Sequence, residues 1–349
     1  MTREELEALV YRGEVLRERD FAGLALEGAN LSGAIFGDST LGGARLVGAR
    51  IRESLFTRCD LTGVDLTGAD LSHTNFHQCV LAGAVMRDAK MLDVNLVDCD
   101  LTGADLTGAD LFAAVFVRPN VTDASLARTN LDRAGLVEAV TVRTRVVAAR
   151  LAQTVMAGAD LTTADFKDAS LSKVTLVGSR LAGLDLRGMT LTSTQFVGCE
   201  MSGVDLRGAN VAQSNFKDAV LAGARFDGAV GPNALFVGAK AARAVFRDAK
   251  LAQGIFIDAD LRGADLSGAD LQQSVLHRAD CGAALFCGAD LTYADFSGAD
   301  LSAADFSQAQ IFRAKLHRVR DANAIFTGRA AALGDDPELA EAENWTPKY

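Results

Sequence analysis

The side chains best equipped for chemistry are few. The chain of 349 residues has four histidines and six cysteines. Their densest grouping is His73, His77 and Cys79, with Cys59 and Cys99 on either side. Imidazole and thiolate donors are the ligands of tetrahedral zinc. Aspartate runs such as Asp60, Asp65 and Asp70 are the other candidates, because paired carboxylates can do acid–base work. The sequence has no Walker A loop, His-Glu-x-x-His or nucleophile elbow.

Spacing decides what these groups can do. The three cysteines are 20 residues apart and the three aspartates 5 apart. Both intervals belong to a repeat that runs through the chain. Ala69-Asp70-Leu71-Ser72, Ala104-Asp105-Leu106-Thr107-Gly108 and Ala264-Asp265-Leu266-Ser267-Gly268 show the unit: small, Asp or Asn, Leu or Phe, Ser/Thr/Arg, Gly. Leu/Phe centres recur at every fifth residue from Phe21 to Phe326, and only Thr141, Gly231 and Asp321 are neither apolar nor small apolar residues. Such a period is the mark of a repeat architecture.

The unit resembles the pentapeptide-repeat family, over roughly nine tenths of the chain. The resemblance implies an all-β fold, a right-handed quadrilateral parallel β-helix with four pentapeptides per 20-residue turn. It also implies that the centre and the residue two before it point inward. The phenylalanines test the 20-residue turn independently. Sixteen of the 18 occupy centres. Nine share the register of Phe36, and six share the register of Phe166, half a turn away. Turns stacked at strand spacing bury a continuous column that no single turn can bury. In this frame Cys59, Cys79 and Cys99 are inward small residues, while His73 and His77 lie outward. No zinc site and no cofactor is expected. Successive aspartates fall on different sides, which opposes acid–base pairing, and a filled core leaves no pocket for an enzyme.

Open solenoid ends need covers. Thr2 and Glu5 form a capping-box pattern ahead of Leu6, Leu9 and Val10, with Gly13 as a stop, which predicts a helix over 3–11. Asp336-Pro337 reads as a second helix start. The expected organisation is a helical cap at 1–20, the β-helix at 21–328 and a C-terminal cap or tail at 329–349. Trp345 and Tyr349 are expected to plug the last turn, or else to meet a partner. Residues 135–150 and 230–243, with Thr141, Gly231 and Pro232, form either outward loops or bends or else regular turns, and the Phe register resumes on either side.

Two columns of outward residues flank the centres of the first Phe register. Before the centre stand Ile35, Leu55, Val115, Val155, Leu235, Ile255 and Val275; after it stand Val97, Val117, Val137, Val177, Val197, Val237 and Ile257. Of 30 positions from 35 to 317, only Lys217, Asp295 and Lys315 are charged. The opposite Phe face has 17 charged residues in 32 positions, with Asp165/Lys167, Asp185/Arg187 and Asp205/Arg207 as expected pairs. An apolar, charge-poor face on one side predicts a docking or homodimer surface.

Net charge is -10, which opposes direct nucleic-acid binding. No apolar run is long enough for a membrane span. The acidic Met1–Leu6 opening lacks the look of a signal peptide, and the cysteines form no disulfide framework, so the chain reads as cytoplasmic. The opening Arg3-Glu-Glu-Leu-Glu-Ala-Leu and Gly13-Glu, leading into repeats, is similar to accessory proteins of bacterial type VI secretion clusters. The leading expectation is therefore a non-enzymatic scaffold for a protein partner or a second copy. The alternative also comes from the family resemblance, since some members mimic B-DNA and bind type II topoisomerase (gyrase). DNA carries one charge per ~1.7 Å, far denser than this chain overall. One band, however, holds Asp258, Asp260, Asp265, Asp270, Asp280, Asp290, Asp295, Asp300 and Asp305 against only Arg262 and Arg278.

Overall fold

The computed structural model describes Met1–Trp345, and the chain divides into two compact units, Met1–Arg180 and Leu181–Tyr349. Each unit is a parallel β-solenoid with the four-sided turn implied by the repeat. The ladder recurs every 20 residues. Leu41 N–H donates to Asp60 O at 2.7 Å, and Asp65 N–H donates to Ala44 O at 3.0 Å. Bridges on consecutive sides include Ile35↔Leu55, Thr40↔Asp60, Arg45↔Asp65 and Arg50↔Asp70. Each side is short because the chain turns after every centre. Gly63 (φ 64°) and Asp123 (φ 59°) show the left-handed conformation that the turn requires, which glycine adopts without steric cost.

The first unit opens with α1 (Arg3–Tyr11), then a seven-stranded parallel sheet on one side: β1 (Val15–Arg17), β2 (Ile35–Gly37), β3 (Leu55–Thr57), β4 (Asn75–His77), β5 (Asn95–Val97), β6 (Val115–Val117) and β7 (Gly135–Val137). The second unit contains β8 (Asp305–Phe306), β9 (Ile325–Phe326), a 3-10 turn at Arg329–Ala331 and α2 (Pro337–Asn344). Pairing begins at Val15, within the segment read as the N-terminal cap.

Phenylalanine orders the core. Strand spacing fixes the distance between rings of successive turns, so Phe36–Phe56 stack at 4.8 Å and Phe216–Phe236 at 4.9 Å, nearly parallel. Across the second unit the two columns meet edge to face, as in Phe216–Phe226 at 5.6 Å and 83°. Both geometries suit the ring quadrupole.

Residues 135–150 and 230–243 form regular turns, one of the two alternatives the sequence leaves open. The compensation comes from residues 20 away. At Gly231 an added Cβ would lie 2.8 Å from Val211 Cγ2 and 3.0 Å from Leu251 Cδ2, so those neighbours already fill the gap. Thr141 is buried, and its hydroxyl donates to the Asp160 carbonyl.

The two ends are built differently. α1 has the capping box, with Thr2 Oγ1 accepting from Glu5 N at 3.2 Å and Thr2 N–H donating to Glu5 at 2.8 Å. It buries Leu6 and Val10 on the first turn. Arg3 donates to Glu27 O at 2.9 Å and Gly28 O at 3.0 Å, while Glu7 accepts from Asn30 N at 2.8 Å. At the other end Trp345 does not plug the last turn: it is 72% exposed, at the C-cap of α2. The cover there is local. Leu333 pairs with Lys315, and the Arg329 guanidinium lies 4.9 Å over the Phe326 ring. Tyr349 lies outside the described residues.

Candidate interaction surface

The apolar columns form where the strand pattern turns alternate residues outward. In β2, β3 and β6 the middle residue is buried, while Ile35, Leu55 and Val115 point out, 39–40% exposed. The first unit divides these residues into two groups. Val15, Ile35 and Leu55 pair across successive strands. Val97, Val115, Val117 and Val137 adjoin on β5–β7, and Val155 bridges to Gly135. Between the groups stand His77, Asn75 and Asn95, the last two joined by an Nδ2–Oδ1 hydrogen bond of 2.9 Å. Val177 is a further exposed position, at 41%.

In the second unit Leu235, Ile255 and Val275 form consecutive bridges, with Val237 and Ile257 beside them in the next column. All five are half-buried. Val197 is also half-buried, and Lys217 and Asn215 separate it from this patch. Thus the structure gathers the fourteen residues into local patches, not one unbroken stripe.

The opposite face is charge-compensated. Arg187 and Arg207 bind Asp185 and Asp205 at 2.6 and 2.5 Å, holding both carboxyls below their ordinary range. Asp165 departs from the expected pairing: it accepts the backbone N–H of Lys167 at 3.0 Å.

The acidic band is spread over all four sides. Asp260, Asp280 and Asp300 share one ladder, Asp265 and Asp305 another, and Asp270 and Asp290 a third; Asp295 lies on the apolar side and Asp258 beside it at a corner. Eight of the nine accept the N–H two residues ahead, as Asp290 does from Thr292 at 3.0 Å and Asp300 from Ser302 at 2.9 Å. These are Asx turns, a role the sequence reading missed. Asp258, Asp260, Asp265, Asp280, Asp295 and Asp300 also meet cations. Asp270, Asp290 and Asp305 have no ion-pair partner among the described residues.

Cys59, Cys79 and Cys99 are buried and unbridged, each facing backbone carbonyls. The neighbouring Cys79 thiol and burial push Cys59 upward, and burial does the same to Cys281, which disfavours reactive thiolates. His73 faces Asp93 at 3.7 Å on the outside. No three His, Cys, Asp or Glu side chains converge on a metal position among the described residues. No helix among them is long and apolar enough to cross a membrane.

Two family models match the chain. One is described as a pentapeptide repeat region and matches residues 49–126. The other, pentapeptide repeats (8 copies), matches 20–58 and overlapping segments from 147–183 to 279–318. No curated protein matches. Among solved structures, the chain is similar to HetL from the cyanobacterium Nostoc sp. strain PCC 7120, a pentapeptide repeat protein involved in heterocyst differentiation regulation. The identity is 26%, covering 75% of this chain and 89% of that one, with a TM-score of 0.35. QnrB1, a plasmid-mediated fluoroquinolone resistance protein, is 19% identical over 56% of this chain and 89% of its own, with a TM-score of 0.33. Rfr23 from Cyanothece 51142 is 20% identical over 42% and 91%, with a TM-score of 0.24.

Proposed function

The chain belongs to the pentapeptide-repeat family, and we propose that it is a non-enzymatic scaffold docking a protein partner, or a second copy of itself, on its apolar face. The observation that carries this is the contrast between its two Phe-bearing faces. β-Branched residues suit strands on either face, so propensity alone would enrich both. The charge-poor face exposes Ile35, Leu55, Val115, Val155 and Val177; on the other, Val47, Leu285 and Ile325 are exposed singly among 17 charged positions, many of them in Asp–Arg pairs. Exposed apolar patches bordered by polar residues mark association surfaces.

In this reading residues 21–328 present the surface, and 1–20 and 329–349 close the ends. The protein acts in the bacterial cytoplasm. The resemblance of its opening residues makes type VI secretion components the first partners to test. A second reading, topoisomerase binding through the acidic band, draws on Asp270, Asp290 and Asp305, the acids of the band left without ion pairs among the described residues.

The test is Val117→Lys with Val197→Lys, one new charge in each unit. Both sites are outward and half-buried, so the variant is expected to fold with a melting temperature close to that of the parent. It is expected to lose partner capture, or self-association in sedimentation. Unchanged association by the folded variant would overturn the scaffold reading.

A further inference from the structure

The apolar face of the second unit ends in a seat that a helix already occupies. Val237 and Ile257 are followed in their column by His277, Ser297 and His317; Leu235, Ile255 and Val275 are followed in theirs by Asp295 and Lys315. α2 lies against this end. Asp336 N–H donates to His317 Nδ1 at 3.1 Å, and Glu343 Oε2 lies 3.4 Å from His317 Nε2 and 2.6 Å from the Arg318 guanidinium. Arg318 also donates to Ala340 O at 3.0 Å, and its N–H donates to Asp335 at 2.7 Å. His317 is 3% exposed beneath the helix.

The seat is better built than its occupant. α2 buries none of its own residues. Its seat-facing residues are Asp336, Leu339 and Glu343, at i, i+3 and i+7 on one helical face. Leu339 remains 43% exposed, and a cleft of about 590 Å³ persists between helix and face, bordered by His277, Lys315 and Leu333. The Arg318–Glu343 pair is about two-fifths exposed on both sides and contributes little net stability, and α2 buries no apolar side chain, so the contacts to His317 are what hold the helix. Arg318 and His317 are met by Glu343 of α2, while Lys315 is met by Asp295 of the face itself, and the unfilled space beside Leu339 suits a larger apolar side chain at that position.

We infer that this seat is the receptor for an amphipathic helix of a protein partner, with a carboxylate at the Glu343 position and a bulky apolar residue at the Leu339 position, and that α2 is its intramolecular placeholder. The inference rests on the proposed reading of the face as a protein-docking surface. Neither Val117 nor Val197 lines the seat, so the two readings can fail separately.

The probe is a fluorescein-labelled peptide of residues 335–344 carrying Leu339→Phe, titrated into the full chain. Trp345, the only tryptophan, ends α2 and reports helix release by its own anisotropy. Glu343→Lys removes the main anchor of α2. It is expected to lower Trp345 anisotropy, leave the melting temperature unchanged and bind the peptide about tenfold tighter than the parent, whose own helix competes at high effective concentration. Adding Arg318→Glu is expected to abolish peptide binding. Equal peptide affinity in parent and Glu343→Lys would overturn the inference. So would a concentration-dependent doubling of mass without peptide binding, which would place the helix of a second copy in the seat.

Discussion

Aspartate in this chain has two separable duties. As charge, the acids of the band could face a partner; as acceptors, they close the turn of their own repeat. Asp290 separates the two, because it accepts from Thr292 N–H at 3.0 Å and has no ion pair among the described residues. Asp290→Asn keeps the acceptor and is expected to change stability by less than about 0.5 kcal/mol. Asp290→Ala is expected to cost about 1 kcal/mol in urea unfolding. Equal costs would show that the charge matters more than the turn. Asp295 is different. Burial alone would raise its carboxyl, but the His277 ring 3.0 Å away and the Ser297 hydroxyl and N–H hold it down at about 2. A depressed carboxyl stabilises the fold above its ordinary range, near pH 4, and loses that contribution as pH falls toward 2. The melting temperature of Asp295→Asn should therefore fall less steeply than the parent's between pH 4 and 2. Outward placement of these acids was legible from the five-residue period. Their turn role was not, because an Asx bond is made within one repeat and leaves no mark on the spacing between repeats.

Helices at the two ends bear opposite relations to their neighbours. α1 was legible because every signal is local: Thr2, Glu5 and the Leu6/Val10 spacing lie in one segment. Its Leu6 is fully buried, so Leu6→Ala should cost about 2–5 kcal/mol. Hydrogen exchange should accelerate first in β1–β3. The matching change in α2, Leu339→Ala, removes a 43% exposed side chain and should stay within about 0.5 kcal/mol. Comparable losses at both ends would contradict this account of how they are closed. The Asp336-Pro337 helix start was legible for the same local reason, but the position of Trp345 was not, since no repeat or cap fixes what a terminal aromatic meets. Thr141 and Gly231 looked like breaks because their compensation comes from Asp160, Val211 and Leu251, about 20 residues away in sequence.

For the molecule as a whole, an uninterrupted period made side and burial readable for nearly every residue. A centre at every fifth position fixes which residues point out, and a 20-residue turn fixes which of them stack. That is why the fourteen apolar positions could be named from sequence alone. The same register places Asn75, Asn95 and Lys217 between them; what remained hidden was the helix seated at the end of the second unit's face, which depends on contacts outside the repeat. Apolar docking and acidic docking respond differently to salt, because screening weakens exposed charge interactions and leaves apolar burial intact. The most direct measurement is a lysate pull-down at about 0.1 M and about 0.5 M salt, with the parent and the Val117→Lys/Val197→Lys chain run side by side. The scaffold account predicts a protein captured equally at both salt concentrations by the parent and lost by the folded variant. Topoisomerase subunits recovered only at low salt, and equally by both chains, would contradict it.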